Sequence, residues 1–555
     1  MLLIALTSDA QRPNYVIQAQ LNTSNHTITG SIEITYTNYA YQVMDSLGIH
    51  LWPNAYSRQN TALDKQMLLQ GQPELHRAKP DQLGSISSLE FTSPAQEIDF
   101  AYDPDHVDIG WLVLSQPLRP SESITIRSPF VVQLPETFSR SGHAGLSYQV
   151  TQWYPHLAVF DKEGWHTMPY LELGEYFNDF ADYRVSLTLP NGYVVAGTGF
   201  IDEITETDTA THWQFIAENV IDFAWFASPN FYPTTYDVNV GGAQSVKLNM
   251  YIDTLYSEAW KQAHVYAERA LQFYSEWLGP YPYPQMSVVY APLGVGGGME
   301  YPMVAHIGDM TDAVDLDILI AHEVGHSWLY GILANNEREH PWMDEGLNTF
   351  LEEQYINTYY PNYVEYEMPK VVRDERAMET FDVLQRYVRF NHTLQPPASD
   401  PQYQDDIQYF FSAYELPKLG LQLMQAQYGE ATMKKMFQDY YATYKFTHVT
   451  PELLEQSFEK SCDCTLDWFF NDWMHDAHTL DYRIKKFRPT QKEITLVNKG
   501  DAKLPVKINT FKDGEPLKEH WINGFSGEKT IHLNVRADEV RLYDGLMQVV
   551  HQLLI

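Results

Sequence analysis

Over roughly the first 235 residues, apolar and polar positions alternate with the two-residue period of a half-buried strand. Runs at 15–21, 29–36, 185–189 and 194–196 follow it, and turn residues such as Pro190, Asn191 and Gly192 separate them. The pattern predicts a large antiparallel β domain. After residue 250 the period changes. Trp260, Ala263, Tyr266, Ala267, Ala270, Leu271, Tyr274 and Trp277 recur at helical spacing, which predicts a helix over 258–278. A strand is expected at 286–290, then a glycine-rich bend from Gly294 to Gly298, then helices near 313–332 and 344–358. Helical spacing resumes over about 412–475, where Thr450 is placed to cap a helix that Pro451 opens. From about 480 the alternation returns at 493–497 and 506–511, with Asp513-Gly514 as a hairpin turn. A small β-sandwich fits this last part. The chain therefore reads as multidomain α+β, divided at 1–235, 236–479 and 480–555, with no fixed repeat and no low-complexity tract.

Composition narrows the classes. A chain of 555 residues is too long for one core. Its 37 basic and 72 acidic residues leave a net charge of −35, which argues against nucleic acid and anionic membrane surfaces as partners. No apolar run reaches the length of a membrane span. The opening residues 1–6 are apolar but carry no basic leader and no clear cleavage site. They fit either an incomplete signal peptide or the start of a strand, so the compartment, cytoplasmic or exported, stays open. Two cysteines, Cys462 and Cys464, exclude a disulfide framework and are too few for a structural zinc site. They are expected to be reduced thiols.

The chemistry concentrates in the run from His322 to His326, which fits His-Glu-x-x-His. On a helix, positions four apart share a face, so both imidazoles can point at one metal while Glu323 lies beside them as a base. Eighteen residues separate His326 from Glu345, in the run Trp342-Met343-Asp344-Glu345-Gly346. Two imidazoles and one carboxylate leave a coordination position open, as in a catalytic zinc site, whereas calcium and magnesium prefer oxygen ligands. The plain structural readings are two surface histidines and an acid favoured by a helix N-terminus.

With that spacing, and Glu345 inside Trp-x-x-Glu-Gly, the sequence resembles the aminopeptidase N family of zinc metallopeptidases (gluzincins), and its bacterial members above all. The family's second signature, Gly-x-Met-Glu-Asn, is matched by Gly297-Gly298-Met299-Glu300-Tyr301, with Tyr301 in place of Asn. The resemblance implies a thermolysin-like, mainly helical catalytic domain over 236–479 and one zinc ion per chain. It implies Glu300 as the anchor for the substrate's α-ammonium, with Gly297, Gly298 and Met299 along the substrate backbone. Tyr414, followed by Glu415, matches the family's tyrosine, whose hydroxyl stabilises the oxyanion. A Gln or Glu from the β domain assists the anchor in the family, and Gln149 and Gln152 lie in the corresponding region. Longer members carry a terminal helical domain over the site. This chain stops at Ile555, from which the resemblance implies a more open cleft, one closed by another subunit, or a sequence truncated before that domain.

The implied activity is removal of the first residue from peptides with a free N-terminus. Three other readings compete. Epoxide hydrolysis, known in the family, draws on basic residues of the terminal domain. A silent scaffold should have lost a ligand or the base, yet His322, Glu323, His326, Glu345, Glu300 and Tyr414 are all present. A thermolysin-type endopeptidase would not need the run from Gly297 to Glu300.

Overall fold

The computed structural model describes residues 12–241, 245–253, 258–290, 297–361, 406–475, 481–500 and 503–542. The apolar opening at 1–6, the first part of the glycine bend and the end at Ile555 lie outside them. The chain forms two compact units: Met1–Arg338 with Tyr444–Val449, and Glu339–Thr443 with Thr450–Ile555.

The first unit opens with a seven-stranded sheet. Strand Asn14–Asn22 buries Tyr15, Ile17, Ala19 and Leu21 on one face, as its alternation dictates. Its neighbours are Thr27–Thr37, antiparallel, and Ala181–Pro190, which is parallel. The other pairings of this sheet are antiparallel, and the parallel pair falls where the chain returns after a long excursion. Two four-stranded sheets follow. The short helix α1 (Ala62–Leu69) interrupts the β region, starting where the Thr61 hydroxyl accepts from the Asp64 N–H.

The same unit holds a five-stranded mixed sheet in the order Phe231–Asn239, Ser245–Asp253, Gln285–Tyr290, Val304–Ile307, Gly298–Tyr301. Gln285–Tyr290 pairs in parallel on both sides and is buried along nearly its whole length, as a central parallel strand must be. Gly298–Tyr301 is the antiparallel edge. Helices α2 (Ala263–Trp277) and α3 (Ala313–Gly325) pack against one another, and α3 lies on the two strands at that edge. Trp52, Tyr170, Tyr176, Phe226, Met299 and Tyr301 belong to one core that joins the β region to the mixed sheet.

In the second unit, α4 (Pro341–Tyr359) packs against a π-helical turn, Phe410–Glu415, and against α5 (Leu416–Tyr428). Helices α6 (Glu430–Tyr444) and α7 (Pro451–Cys462) follow. Two three-stranded sheets complete the unit, and Asp513 and Gly514 both take positive φ in the hairpin between Val506–Lys512 and Glu515–Ile522, as a type I′ turn requires. Among the described residues no helix is long and apolar enough to cross a membrane.

Three local expectations change. Helix α3 stops at Gly325, not 332, because the chain turns at Tyr330 (φ 81°) and Gly331 returns its N–H to the His326 carbonyl. Thr450 gives its hydroxyl to Glu452 at 2.6 Å, so it does not cap α7 through its side chain. Cys462 and Cys464 are joined as a disulfide, not reduced. Asp463 closes α7 in the left-handed conformation (φ 51°) and folds the chain back, so the two Cα atoms stand 5.2 Å apart, within disulfide reach.

Asp108 illustrates the electrostatic cost inside the first unit. Burial pushes its carboxyl up to about 6, against the hydrogen bond it accepts from the Tyr170 N–H at 2.7 Å. A raised carboxyl contributes stability that is complete below its ordinary 3.8 and is lost as pH rises through about 6. The wild type should therefore lose about 3 kcal/mol relative to Asp108→Asn between pH 3.8 and 7. Urea unfolding of both proteins across that range checks the slope; parallel curves refute it.

Candidate active site

Helix α3 starts at Asp312, whose side chain accepts from the N–H groups of Val314 and Asp315. Within it, buried Asp317 is ion-paired with Arg269 of α2, which fixes one helix on the other. His326 follows the last helical residue but keeps helical angles, and its N–H still reaches the His322 carbonyl at 3.3 Å. The i, i+4 relation therefore survives the helix end. The two Nε2 atoms lie 3.0 Å apart, with His326 buried and His322 half-buried. Two ring nitrogens aimed at one point suit a cation that takes neutral imidazole, and zinc is such a cation.

Glu323 is buried beside this pair, against the edge strand. A Cβ built on Gly298 would stand 2.5 Å from the Glu323 carboxyl carbon, so any other residue there would displace that carboxylate. Gly297 precedes it at φ 119°, and its carbonyl accepts from the Gly308 N–H at 2.8 Å. Met299 and Glu300 are buried, and Glu300 sits opposite Ala305 in the edge pairing. Tyr301 packs its ring on Phe226, and burial holds its hydroxyl well above the ordinary tyrosine range.

Gln149 and Gln152 are engaged elsewhere. Gln149 donates to the Ser139 carbonyl at 3.2 Å, and Gln152 to the buried Asp222 carboxylate at 3.0 Å. Within the first unit Glu175 and Glu337 gather with Glu300, one carboxylate oxygen of each of the three within 4.8 Å of the others. No spacing rule links Glu175 to a residue so far along the chain.

In the second unit, α4 begins with Pro341 at its first turn and carries Asp344 and Glu345, both buried. The Tyr414 hydroxyl donates to Glu345 Oε1 at 2.5 Å. Two features bring them together. Pro417 has no N–H to offer the Ala413 carbonyl, and the Leu416 N–H reaches back five residues to Phe411, which widens the turn that holds Tyr414. Gly346 then admits that turn: a Cβ on it would lie 2.8 Å from Pro417 Cγ and 2.9 Å from the Ala413 carbonyl oxygen. Glu415, next to Tyr414, is buried in an ion pair with Lys418 at 2.6 Å. The first unit thus gathers His322, Glu323, His326 and Gly298, and the second gathers Glu345 and Tyr414.

The His-Glu-x-x-His helix thus lies on the edge of the mixed sheet. Residues 263–473 match the peptidase family M1 domain. It is 20% identical over 303 residues to probable aminopeptidase 1 of Saccharolobus solfataricus, covering 51% of this chain and 36% of that one. Over 88 residues it is 32% identical to leukotriene A-4 hydrolase of Xenopus laevis, 15% of this chain and 14% of that one. The matched stretches thus span about a third or less of these relatives. Among solved structures, an M1 zinc metallopeptidase from Deinococcus radiodurans aligns with a TM-score of 0.59 at 14% identity, over 84% of this chain and 94% of that one. Legionella pneumophila aminopeptidase A in complex with aspartic acid aligns at 0.67 and 14%, over 95% and 58%. At such identities these two likenesses establish the fold.

Gly346→Ala should force α4 away from the Pro417 turn and lower stability by about 1–3 kcal/mol. Equilibrium unfolding measures this, and a variant as stable as the wild type would show that the approach is not tight.

Proposed function

We propose that the protein is a zinc-dependent aminopeptidase that hydrolyses the first peptide bond of peptides with a free N-terminus. His322, His326 and Glu345 would hold one zinc ion, a set that suits zinc because it joins two neutral nitrogens to one carboxylate. Residues 236–479 would form the catalytic domain, flanked by a β domain over 1–235 and a β-sandwich over 480–555. When bound, zinc supplies Lewis acidity that polarises a carbonyl and lowers the pKa of water. Glu323 takes the proton from the attacking water and delivers it to the leaving amine. The Tyr414 hydroxyl donates to the developing oxyanion. Glu300 accepts the substrate's α-ammonium, and Gly297, Gly298 and Met299 line the substrate backbone, so only the first peptide bond comes into register. An acylated terminus carries no ammonium and cannot make this pair.

The observation that carries this reading is the contact between Glu323 and Gly298, which sets the base two residues from Glu300 along the edge strand. It joins the hydrolytic residues to the substrate anchor within one unit.

Aminoacyl chromogenic amides, free and N-acetylated, test the reading before metal removal, after it and after zinc is returned. Cleavage confined to the free amines, and dependent on zinc, is expected. Equal cleavage of the acetylated forms would make the protein an endopeptidase and remove the role of Glu300. A folded, zinc-loaded protein that cleaves nothing would be a scaffold. In the same assay, Glu323→Gln should lower kcat about a thousandfold with zinc content unchanged. Tyr414→Phe should lower kcat about a hundredfold with little change in KM, as loss of one oxyanion donor does; a change in KM alone would mean that Tyr414 binds substrate without stabilising the oxyanion.

A further inference from the structure

Glu415 and Lys418 sit where the π-helical turn Phe410–Glu415 passes into α5, and their carboxylate and ammonium meet at 2.6 Å with side chains only 2% and 7% exposed. Stability does not account for a pair this deep. Both charges have left water, and a volume-matched apolar pair at the same i, i+3 spacing would cost less. The carboxylate is also only half compensated: among the described residues its second oxygen, Oε2, is buried without a hydrogen-bond partner. What an ion pair supplies and an apolar contact does not is direction, since a charged hydrogen bond holds one geometry. The junction is a place where direction matters. Pro417 brings no N–H to the Ala413 carbonyl, and the Leu416 N–H goes back to Phe411. Trp473 donates its indole N–H to the Leu416 carbonyl at 2.7 Å, an approach that Gly420 admits, since a Cβ there would lie 2.8 Å from Trp473 Nε1. The Tyr414 ring is stacked on Phe410 at 5.7 Å and set edge-on to Tyr409 at 6.0 Å. Those two rings come from the turn itself and the residue before it, so they rotate with it. The Glu415–Lys418 pair instead joins the turn to α5.

We infer that Glu415 and Lys418 are positioning residues for the Tyr414 hydroxyl: their ion pair fixes the rotation of the π-helical turn on α5, and with it the direction of the side chain one residue before Glu415. This rests on the role given to Tyr414 above. Successive residues of a helical turn point roughly a quarter turn apart. Once Glu415 is drawn onto Lys418, the direction of Tyr414 follows, and its hydroxyl donates to Glu345 Oε1 at 2.5 Å. Neither member of the pair touches a reacting atom in this account. Their effect lies in where a neighbour's hydroxyl stands, and a misplacement of about 1 Å at such a group lowers a rate by about a hundredfold.

The test uses the full chain, zinc-loaded, and compares the wild type with Lys418→Met, Lys418→Arg and the double variant Glu415→Leu with Lys418→Met. Each is measured for urea unfolding, zinc content and cleavage of leucine p-nitroanilide. The ζ-carbon signal of Tyr414 is followed in carbon-13 tyrosine-labelled protein, identified as the signal lost in Tyr414→Phe. The double variant buries neither charge, so it should be at least as stable as the wild type and keep its zinc. Its kcat should nevertheless fall about ten- to a hundredfold with KM within about twofold, and its Tyr414 signal should move. Lys418→Met alone leaves Glu415 buried without its cation and should unfold more readily. Lys418→Arg keeps the pair, so it should hold the Tyr414 signal near its wild-type position and retain more of kcat than Lys418→Met. A folded double variant with wild-type kcat and an unmoved Tyr414 signal overturns the proposal. So does a fall in kcat with the signal unmoved, since the pair would then act through something other than Tyr414. If the wild type itself cleaves no amide, the aminopeptidase reading fails, while the Tyr414 signal and the unfolding curves still decide whether the pair fixes the turn.

Discussion

Taking carboxylates out of water is the constraint on which the rest of this structure depends. The chain carries 72 acidic residues against 37 basic ones, and a notable share of those acids lies inside. An unpaired buried carboxylate is costly enough to change protonation or to disrupt packing. Several of the buried acids are met by a particular partner. Asp317 has Arg269, Glu175 has Arg140, and Glu415 has Lys418. Asp222 is held by the Tyr154 hydroxyl and the Gln152 amide, and Glu345 by the Tyr414 hydroxyl. These pairs do more than neutralise charge. They tie α2 to α3, the β region to the segment around Glu175, and α4 to the π-helical turn.

The second organising element is the absence of a side chain at two positions. Gly298 lets the edge strand press on Glu323, and Gly346 lets the turn at Pro417 press on α4. In both cases a backbone approaches a functional carboxylate or its neighbour more closely than a Cβ permits. Close packing of this kind restricts where the Glu323 carboxylate and the Tyr414 turn can sit. The π-helical turn adds to this in the second unit, since Pro417 removes a regular hydrogen bond and the widened turn carries Tyr414.

Much of the fold was legible because it follows from local rules. Alternation marked the strands at 14–22 and 27–37, and helical spacing marked α2 and α4. Asp513-Gly514 announced its hairpin through the positive φ that both residues must take. The failures were of another sort. The end of α3 was set by a turn at Tyr330, a residue with no turn preference, and the Thr450 hydroxyl chose a carboxylate over the helix backbone. The pairing of Cys462 with Cys464 depended on the left-handed conformation of Asp463, which composition does not report.

The same division runs through the candidate site. The sequence by itself determined that His322 and His326 stand one helical turn apart on one face, since that relation is a property of four consecutive peptide units. Its spacing also pointed to Glu323 and Glu345, and its family resemblance to Glu300 and Tyr414. The tertiary structure alone decided what each of them touches: Gly298 against Glu323, Tyr414 on Glu345, Glu175 and Glu337 around Glu300, and Arg140 behind Glu175. Those contacts join segments far apart in the chain. They are chosen by packing and by the need to compensate buried charge, and neither leaves a periodic trace in the order of the residues.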